Sequence, residues 1–364
     1  MGRIENFLEM LENKKLDGFL VTNRTDIRYL CGFSGSAGML WISPKRRVFI
    51  TDFRYDTQTK HEIGDKAEIF ITSPEKDYFT LLKELELFKD IQYVGFDSGD
   101  IYYNTYRHLS SISLSTNLIP VSGPASELRS KKEPEEIQKI RQAAKIAIDA
   151  LIESLPLLRH GITENEFSAE LEYRMKKKGS EKCSFDTIVA SGWRAALPHG
   201  AASDKVIETG EMIVVDFGAT YQGYTSDITR TFFLGTPDEK FKTIYETTLS
   251  AQKSAIRGAS AGKTGKEIDS IARDIITNAG YGENFGHGLG HGIGLVVHDS
   301  PTVNQKNEKP LPENSVVTIE PGIYISNWGG VRIEDDVLIT EKGAEVLTKE
   351  LPKALKDMVI PVTK

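Results

Sequence analysis

Four carboxylates stand where a folded chain can least easily accept them. Asp216 lies inside the apolar run Met212-Ile-Val-Val-Asp-Phe-Gly, and Glu320 inside Val317-Thr-Ile-Glu-Pro-Gly-Ile. Both runs read as strands, and an unpaired charge buried in a strand is costly. Each run is followed by a turn cluster and a second strand with its own acid. Tyr221-Gln-Gly leads to Asp227 in Thr225-Ser-Asp-Ile-Thr, and Ser326-Asn-Trp-Gly-Gly leads to Glu334 in Val331-Arg-Ile-Glu-Asp-Asp-Val. Folding at those turns predicts Asp216 opposite Asp227 and Glu320 opposite Glu334. Opposed residues have Cβ atoms about 4.5–5.5 Å apart, so the like charges would repel. An arginine such as Arg230 or Arg332 would answer any one of them. The mirrored arrangement of all four favours two divalent cations about 3.5–4 Å apart. Oxygen-rich ligation suits Mn, Co or Zn.

Histidines supply the missing nitrogen. Of seven in the chain, His287, His291 and His298 fall within Gly286-His-Gly-Leu-Gly-His-Gly-Ile-Gly-Leu-Val-Val-His-Asp. Alternating glycines let backbone run close to a buried site. A lone histidine is more often structural, but three in such a stretch point to a site. His199, in Leu197-Pro-His-Gly, is a further candidate. Leu295-Val-Val reads as a strand, and at about 3.3 Å per residue it carries His298 beyond the first coordination shell of His291. Two decoys fall away. Gly258-Ala-Ser-Ala-Gly resembles a nucleophile elbow around Ser260, but a helix precedes it where a strand is needed. The glycines of 286–294 do not spell a dinucleotide-binding fingerprint.

The 364 residues suggest two domains, with 39% hydrophobic and 27% charged residues as in ordinary globular chains. Strand-like runs at 18–21, 39–43, 48–52, 69–72 and 93–97, with helical patterns such as 79–87 between them, give the first part an α/β character. A turn-rich break at 121–125 sets a boundary, predicting domains 1–125 and 126–364. Beyond it, Pro134 suits a helix start, and Thr163 with Glu166 and Thr264 with Glu267 read as capping boxes. Residues 238–257 form another helix candidate. Strands are expected at 211–219, 224–234, 315–325 and 330–340, so two helices precede each strand pair in an α+β layout. The net charge of −7 argues against nucleic acid. No apolar run approaches the roughly 18 residues of a membrane span. Met1 to Lys14 lacks the apolar core of a signal peptide, and two cysteines exclude a disulfide framework, so a cytoplasmic location is expected.

Five segments carry a resemblance. Val214-Val-Asp-Phe-Gly, Ser226-Asp-Ile-Thr-Arg-Thr, Gly290-His-Gly-Ile-Gly-Leu-Val-Val-His-Asp, Thr318-Ile-Glu-Pro-Gly-Ile-Tyr and Gly330-Val-Arg-Ile-Glu-Asp look like the pita-bread metallopeptidases in order, spacing and residue type. The catalytic resemblance covers about 127–350, and the first domain looks like the N-terminal domain of creatinase and prolidase relatives. It implies Asp216 on one metal, His291 and Glu320 on the other, and Asp227 and Glu334 bridging both. It also implies site roles for His199, His287, His298 and Arg332.

The resemblance further implies hydrolysis of Xaa-Pro bonds in proline-containing peptides, foremost in dipeptides. Release of the first residue from longer peptides is the alternative, and a homodimer is the expected assembly. On this view the metals lower the pKa of a water. Glu320 carries its proton, His298 and His287 donate to the developing oxyanion, and Arg332 supports the carboxylates. Some pita-bread domains have lost their ligands and only bind partners. The complete ligand set here argues for an enzyme.

Overall fold

The computed structural model describes residues 2–362. The chain separates into two compact units, one ending at Arg129 and the other beginning at Ser130. In the first unit the apolar runs form a six-stranded sheet. Its order is Glu68–Ile71, Arg47–Thr51, Met39–Ile42, Gly18–Val21, Tyr93–Asp97, Asn117–Val121. Gly18–Val21 is antiparallel to Met39–Ile42 and parallel to Tyr93–Asp97. The helix Arg3–Asn13 buries Ile4, Phe7 and Leu11, one face at helical spacing. The helix Arg24–Cys31 starts on Asn23, whose side chain accepts from the N–H groups of Thr25 and Asp26, and stops at Gly32 with φ +89°. Asn117–Val121 is absent from the sequence reading because Pro120 interrupts its pattern. It lies at the sheet edge, where a residue without an N–H is tolerated.

The second unit opens with the helices Pro134–Ser154 and Glu164–Lys177, and a second pair follows at Glu239–Gly258 and Gly265–Asn278. Pro134 occupies the first helical turn. Thr163 with Glu166 and Thr264 with Glu267 make the reciprocal capping bonds expected of them. Asp238 caps the third helix, accepting from the Phe241 N–H at 2.7 Å. No strand leads into Ser260, which follows a helix.

The first helix pair precedes a sheet ordered Val359–Ile360, Ile228–Leu234, Met212–Phe217, Ile188–Ser191. The second precedes a sheet ordered Asp299–Val303, Gly290–Gly292, Val316–Ile319, Asp335–Thr340, Gly343–Val346. One apolar core runs through helices and sheets, from Ile146 and Phe167 through Val215 and Phe232 to Ile319 and Val337. The four strands expected from the sequence are shorter than predicted. Three break at an acid: Ile228–Leu234 begins after Asp227, Val316–Ile319 ends before Glu320, and Glu334 separates Gly329–Arg332 from Asp335–Thr340. Pro321, which has no N–H, explains the break after Glu320. No described helix is long and apolar enough to cross a membrane.

Candidate metal centre

The two hairpins set the acids differently. In the first, Tyr221 pairs with Tyr224 around a two-residue turn, Gln222 at φ 48° and Gly223 at φ 83°. Positive φ at both positions marks the turn that matches strand twist. The register then pairs Asp216 with Thr229. Asp227 lies two residues earlier on the same face, so the acids are diagonal rather than directly opposed as the sequence suggested. The turn closes later than the spacing of the two acids implies. In the second hairpin Ile319 pairs with Asp335 and Gly322 with Arg332, and that register carries Glu320 opposite Glu334.

Threonines brace the acids. Thr229 Oγ1 donates to Glu334 Oε2 at 2.6 Å and accepts from Arg332 Nε at 3.0 Å. Thr318 Oγ1 donates to Glu320 Oε1 and accepts from the His291 N–H, both at 3.1 Å. Arg332 Nη2 holds Asp216 Oδ2 at 2.7 Å. Arginine pairing thus answers one oxygen of one acid. Arg230, the other arginine considered, binds Asp335 at 2.8 Å and donates to the Glu334 carbonyl at 2.6 Å.

The remaining charge is uncompensated. Asp216 Oδ1 is buried with no hydrogen-bond partner. Burial, then the Glu334 and Asp216 charges, push the Asp227 carboxyl well above the carboxylate range. Burial, then Glu320 and Asp216, do the same to Glu334. Burial also raises Glu320. Nearby, His291 Nδ1 lies 3.1 Å from the Gly292 carbonyl, which only accepts, so Nδ1 carries the hydrogen. Burial lowers this histidine's pKa, which favours the neutral ring. The Nε2 lone pair then faces Glu320 Oε1 at 3.3 Å and Asp227 Oδ2 at 3.6 Å. A lone pair directed at carboxylate oxygens is unfavourable until a cation lies between them. Donor atoms of Asp227, His291 and Glu334 all fall within 4.8 Å of one another. The donor set therefore fits divalent ions.

The other expected residues lie near these acids and His291. The sequence places His298 far from His291 along a strand. Instead 294–298 is a series of bends, and the two rings lie 4.4 Å apart, edge to face. The Gly294 N–H turns back onto the Val296 carbonyl at 3.1 Å. His298 is solvent-exposed. Desolvation lowers its pKa, with His291 and His199 adding to the effect. His199 is exposed as well. His287 has both its nitrogens engaged. Nδ1 donates to the Gly288 carbonyl at 2.8 Å, and Nε2 accepts from the Tyr324 hydroxyl at 3.0 Å. Tyr324 Oη in turn accepts from Arg332 Nη1 at 2.9 Å, and burial pushes its hydroxyl up to about 12. Sequence reasoning missed Tyr324, Thr229 and Thr318. The one available signal was polar side chains at same-face positions beside the acids.

Fold and site together define a metallopeptidase. The model of metallopeptidase family M24 matches residues 138–341, and that of the creatinase/prolidase N-terminal domain matches 3–131. The chain belongs to metallopeptidase family M24, with a creatinase-type N-terminal domain followed by the pita-bread catalytic fold. It is 42% identical to a Xaa-Pro dipeptidase of Pyrococcus horikoshii over 95% of this chain and 97% of the relative. A solved Xaa-Pro dipeptidase from Bacillus anthracis superposes with a TM-score of 0.94 at 43% identity, covering 98% and 99% of the two chains. An X-Pro aminopeptidase structure from Thermotoga maritima superposes at 0.90 with 42% identity, covering 99% and 100%.

Proposed function

We propose that this protein hydrolyses the Xaa-Pro peptide bond, foremost in dipeptides, with two divalent ions held by Asp216, Asp227, His291, Glu320 and Glu334. The observation that carries the reading is the His291 Nε2 lone pair turned toward Glu320 and Asp227 within a group of buried acids. When bound, the ions supply Lewis acidity and make a water more acidic near neutral pH. Manganese is the proposed metal, with cobalt or zinc as substitutes.

Glu320 moves the proton from the attacking water to the leaving proline nitrogen. The Thr318 hydroxyl holds its carboxyl in place for that task. His298 offers its ring N–H to the oxygen of the scissile carbonyl. Arg332 fixes Asp216 and Tyr324, and Tyr324 fixes His287. His199 stands at the rim. The Xaa-Pro bond is a tertiary amide without N–H, so a peptidase that positions its substrate through that N–H fails on it.

The relatives named Xaa-Pro dipeptidase support the dipeptide. Likeness to the Thermotoga X-Pro aminopeptidase favours a second reading, release of the first residue from longer peptides. Turnover of one Xaa-Pro dipeptide beside the matching Xaa-Pro-Yaa tripeptide separates them. The dipeptidase reading expects the dipeptide to be preferred, and equal or better cleavage of the tripeptide overturns it. The proposed domains are 1–125 and 126–364, supported by the break into compact units at Arg129. A homodimer is the proposed assembly, and exposed Phe53, Tyr102 and Tyr103 offer apolar surface for it. The free thiols of Cys31 and Cys183 suit the proposed cytoplasmic setting.

A further inference from the structure

Glu164 opens the helix Glu164–Lys177, yet Thr163 and Glu166 carry out that helix's capping. Its side chain is 0% exposed, where a carboxylate is costly unless donors surround it. Five donors do so, and they come from both ends and the interior of one loop. Oε1 accepts from the Ser191 N–H at 2.7 Å and the Ser191 hydroxyl at 2.9 Å. Oε2 accepts from Arg194 Nε at 2.9 Å, the Ser203 N–H at 3.2 Å and the Ser203 hydroxyl at 2.6 Å. Ser191 ends the strand Ile188–Ser191, so one carboxylate fastens the base of the loop 192–203. Arg194 then crosses the loop to the Ala201 carbonyl at 2.5 Å. Lys205 Nζ adds a brace from Ser191 Oγ at 2.9 Å to Glu211 at 2.6 Å.

The far side of this loop meets the metal centre. The Pro198 carbonyl accepts from Arg332 Nη1 at 3.2 Å, and Arg332 also grips Asp216. The fit is close: a Cβ on Gly330 would lie 2.3 Å from the Ala195 carbonyl oxygen. His199 follows Pro198 directly in the chain, and its exposed ring takes its place from the loop that carries it.

We propose that Glu164 is a positioning residue: it closes the loop 192–203 and thereby sets where His199 stands at the mouth of the site. The inference deepens the peptidase reading and rests on it for the role of His199. Glu164 itself touches neither substrate nor metal. Its loss acts through the loop, on substrate capture more than on proton transfer.

The test uses metal-loaded full-length protein and the variants Glu164→Gln and Ser203→Ala, each alone and combined with His199→Ala. Amide hydrogen exchange across 192–203 is expected to rise at least ~tenfold in Glu164→Gln, with the sheets unchanged, since the amide keeps only one of the two acceptor oxygens and sets an NH2 against the other group of donors. Misplacement by an ångström costs on the order of a hundredfold in kcat/KM, and here the change is expected mainly in KM. In the His199→Ala background the same substitution should cost under about threefold, because coupled residues are not additive. Ser203→Ala, which removes one donor, repeats the pattern at smaller size and serves if Glu164→Gln folds poorly. Unchanged loop exchange overturns the proposal, and so does an equal loss with and without His199. A parent protein that cleaves no Xaa-Pro peptide overturns the proposed function instead, while the exchange arm still decides whether Glu164 holds the loop.

Discussion

His298 shows how much one bend can change a residue's expected role. Spacing along a strand would carry it away from His291, whereas the turn at 294–298 folds its ring back to 4.4 Å from the His291 ring. It still makes no contact with the acids like those of His291 Nε2, and it faces solvent. His298→Ala is therefore expected to keep its metal content and melting temperature. Turnover on an Xaa-Pro dipeptide should fall by about a hundredfold or more, the roughly 3–4 kcal/mol typical of a donor used mainly in the transition state. Metal analysis, a thermal melt and a rate settle it: metal lost together with activity would make His298 a ligand. At this scale the acids were legible in the sequence because a charge inside an apolar run demands a partner. Tyr324, Thr229 and Thr318 were not, because tyrosine and threonine are ordinary strand residues until their neighbours are known.

At the scale of elements, local signals read true, while pairing read true in the second hairpin and not in the first. The capping boxes at Thr163 and Thr264 depend on four consecutive residues, and both form. The first hairpin depends on where its turn closes, and a shift there moves Asp216 from Asp227 to Thr229. The patterns at 315–325 and 330–340 look continuous, yet each strand breaks beside its acid, which lets the side chain leave the regular pleat. Glycine spacing in the histidine segment signals close backbone approach, and Gly290 illustrates it. A Cβ there would lie 1.9 Å from the Thr318 carbonyl oxygen. Gly290→Ala must push Gly290–Gly292 off Val316–Ile319, and with it His291 away from Glu320. We expect a loss of about 1–3 kcal/mol or more in stability from overpacking, and weaker metal retention. Denaturant unfolding and metal content after gel filtration check this. A variant with parental stability and metal would mean that the two strands are free to separate.

For the molecule as a whole, the centre concentrates negative charge that only cations can balance. Burial and mutual repulsion raise the Asp227 and Glu334 carboxyls well above their ordinary values, and burial raises Glu320. A carboxyl raised in the folded state holds its proton there longer than in the unfolded chain. Its contribution to metal-free stability is thus full below the unfolded value of about 4, and is lost as pH rises through the raised folded value. Divalent ions compete with those protons and replace their effect. The rise in melting temperature on adding Mn should therefore be larger at pH 8 than at pH 5.5. A rise that is independent of pH would mean the ions bind elsewhere. If two ions in this cluster make the catalyst, activity must follow their occupancy. The decisive experiment strips the protein of metal, titrates Mn back, and follows hydrolysis of an Xaa-Pro dipeptide against ions bound per chain. Negligible turnover is expected in the stripped protein, and full turnover as two ions bind per chain. Full turnover without metal, or saturation at a single bound ion, would refute the dinuclear centre.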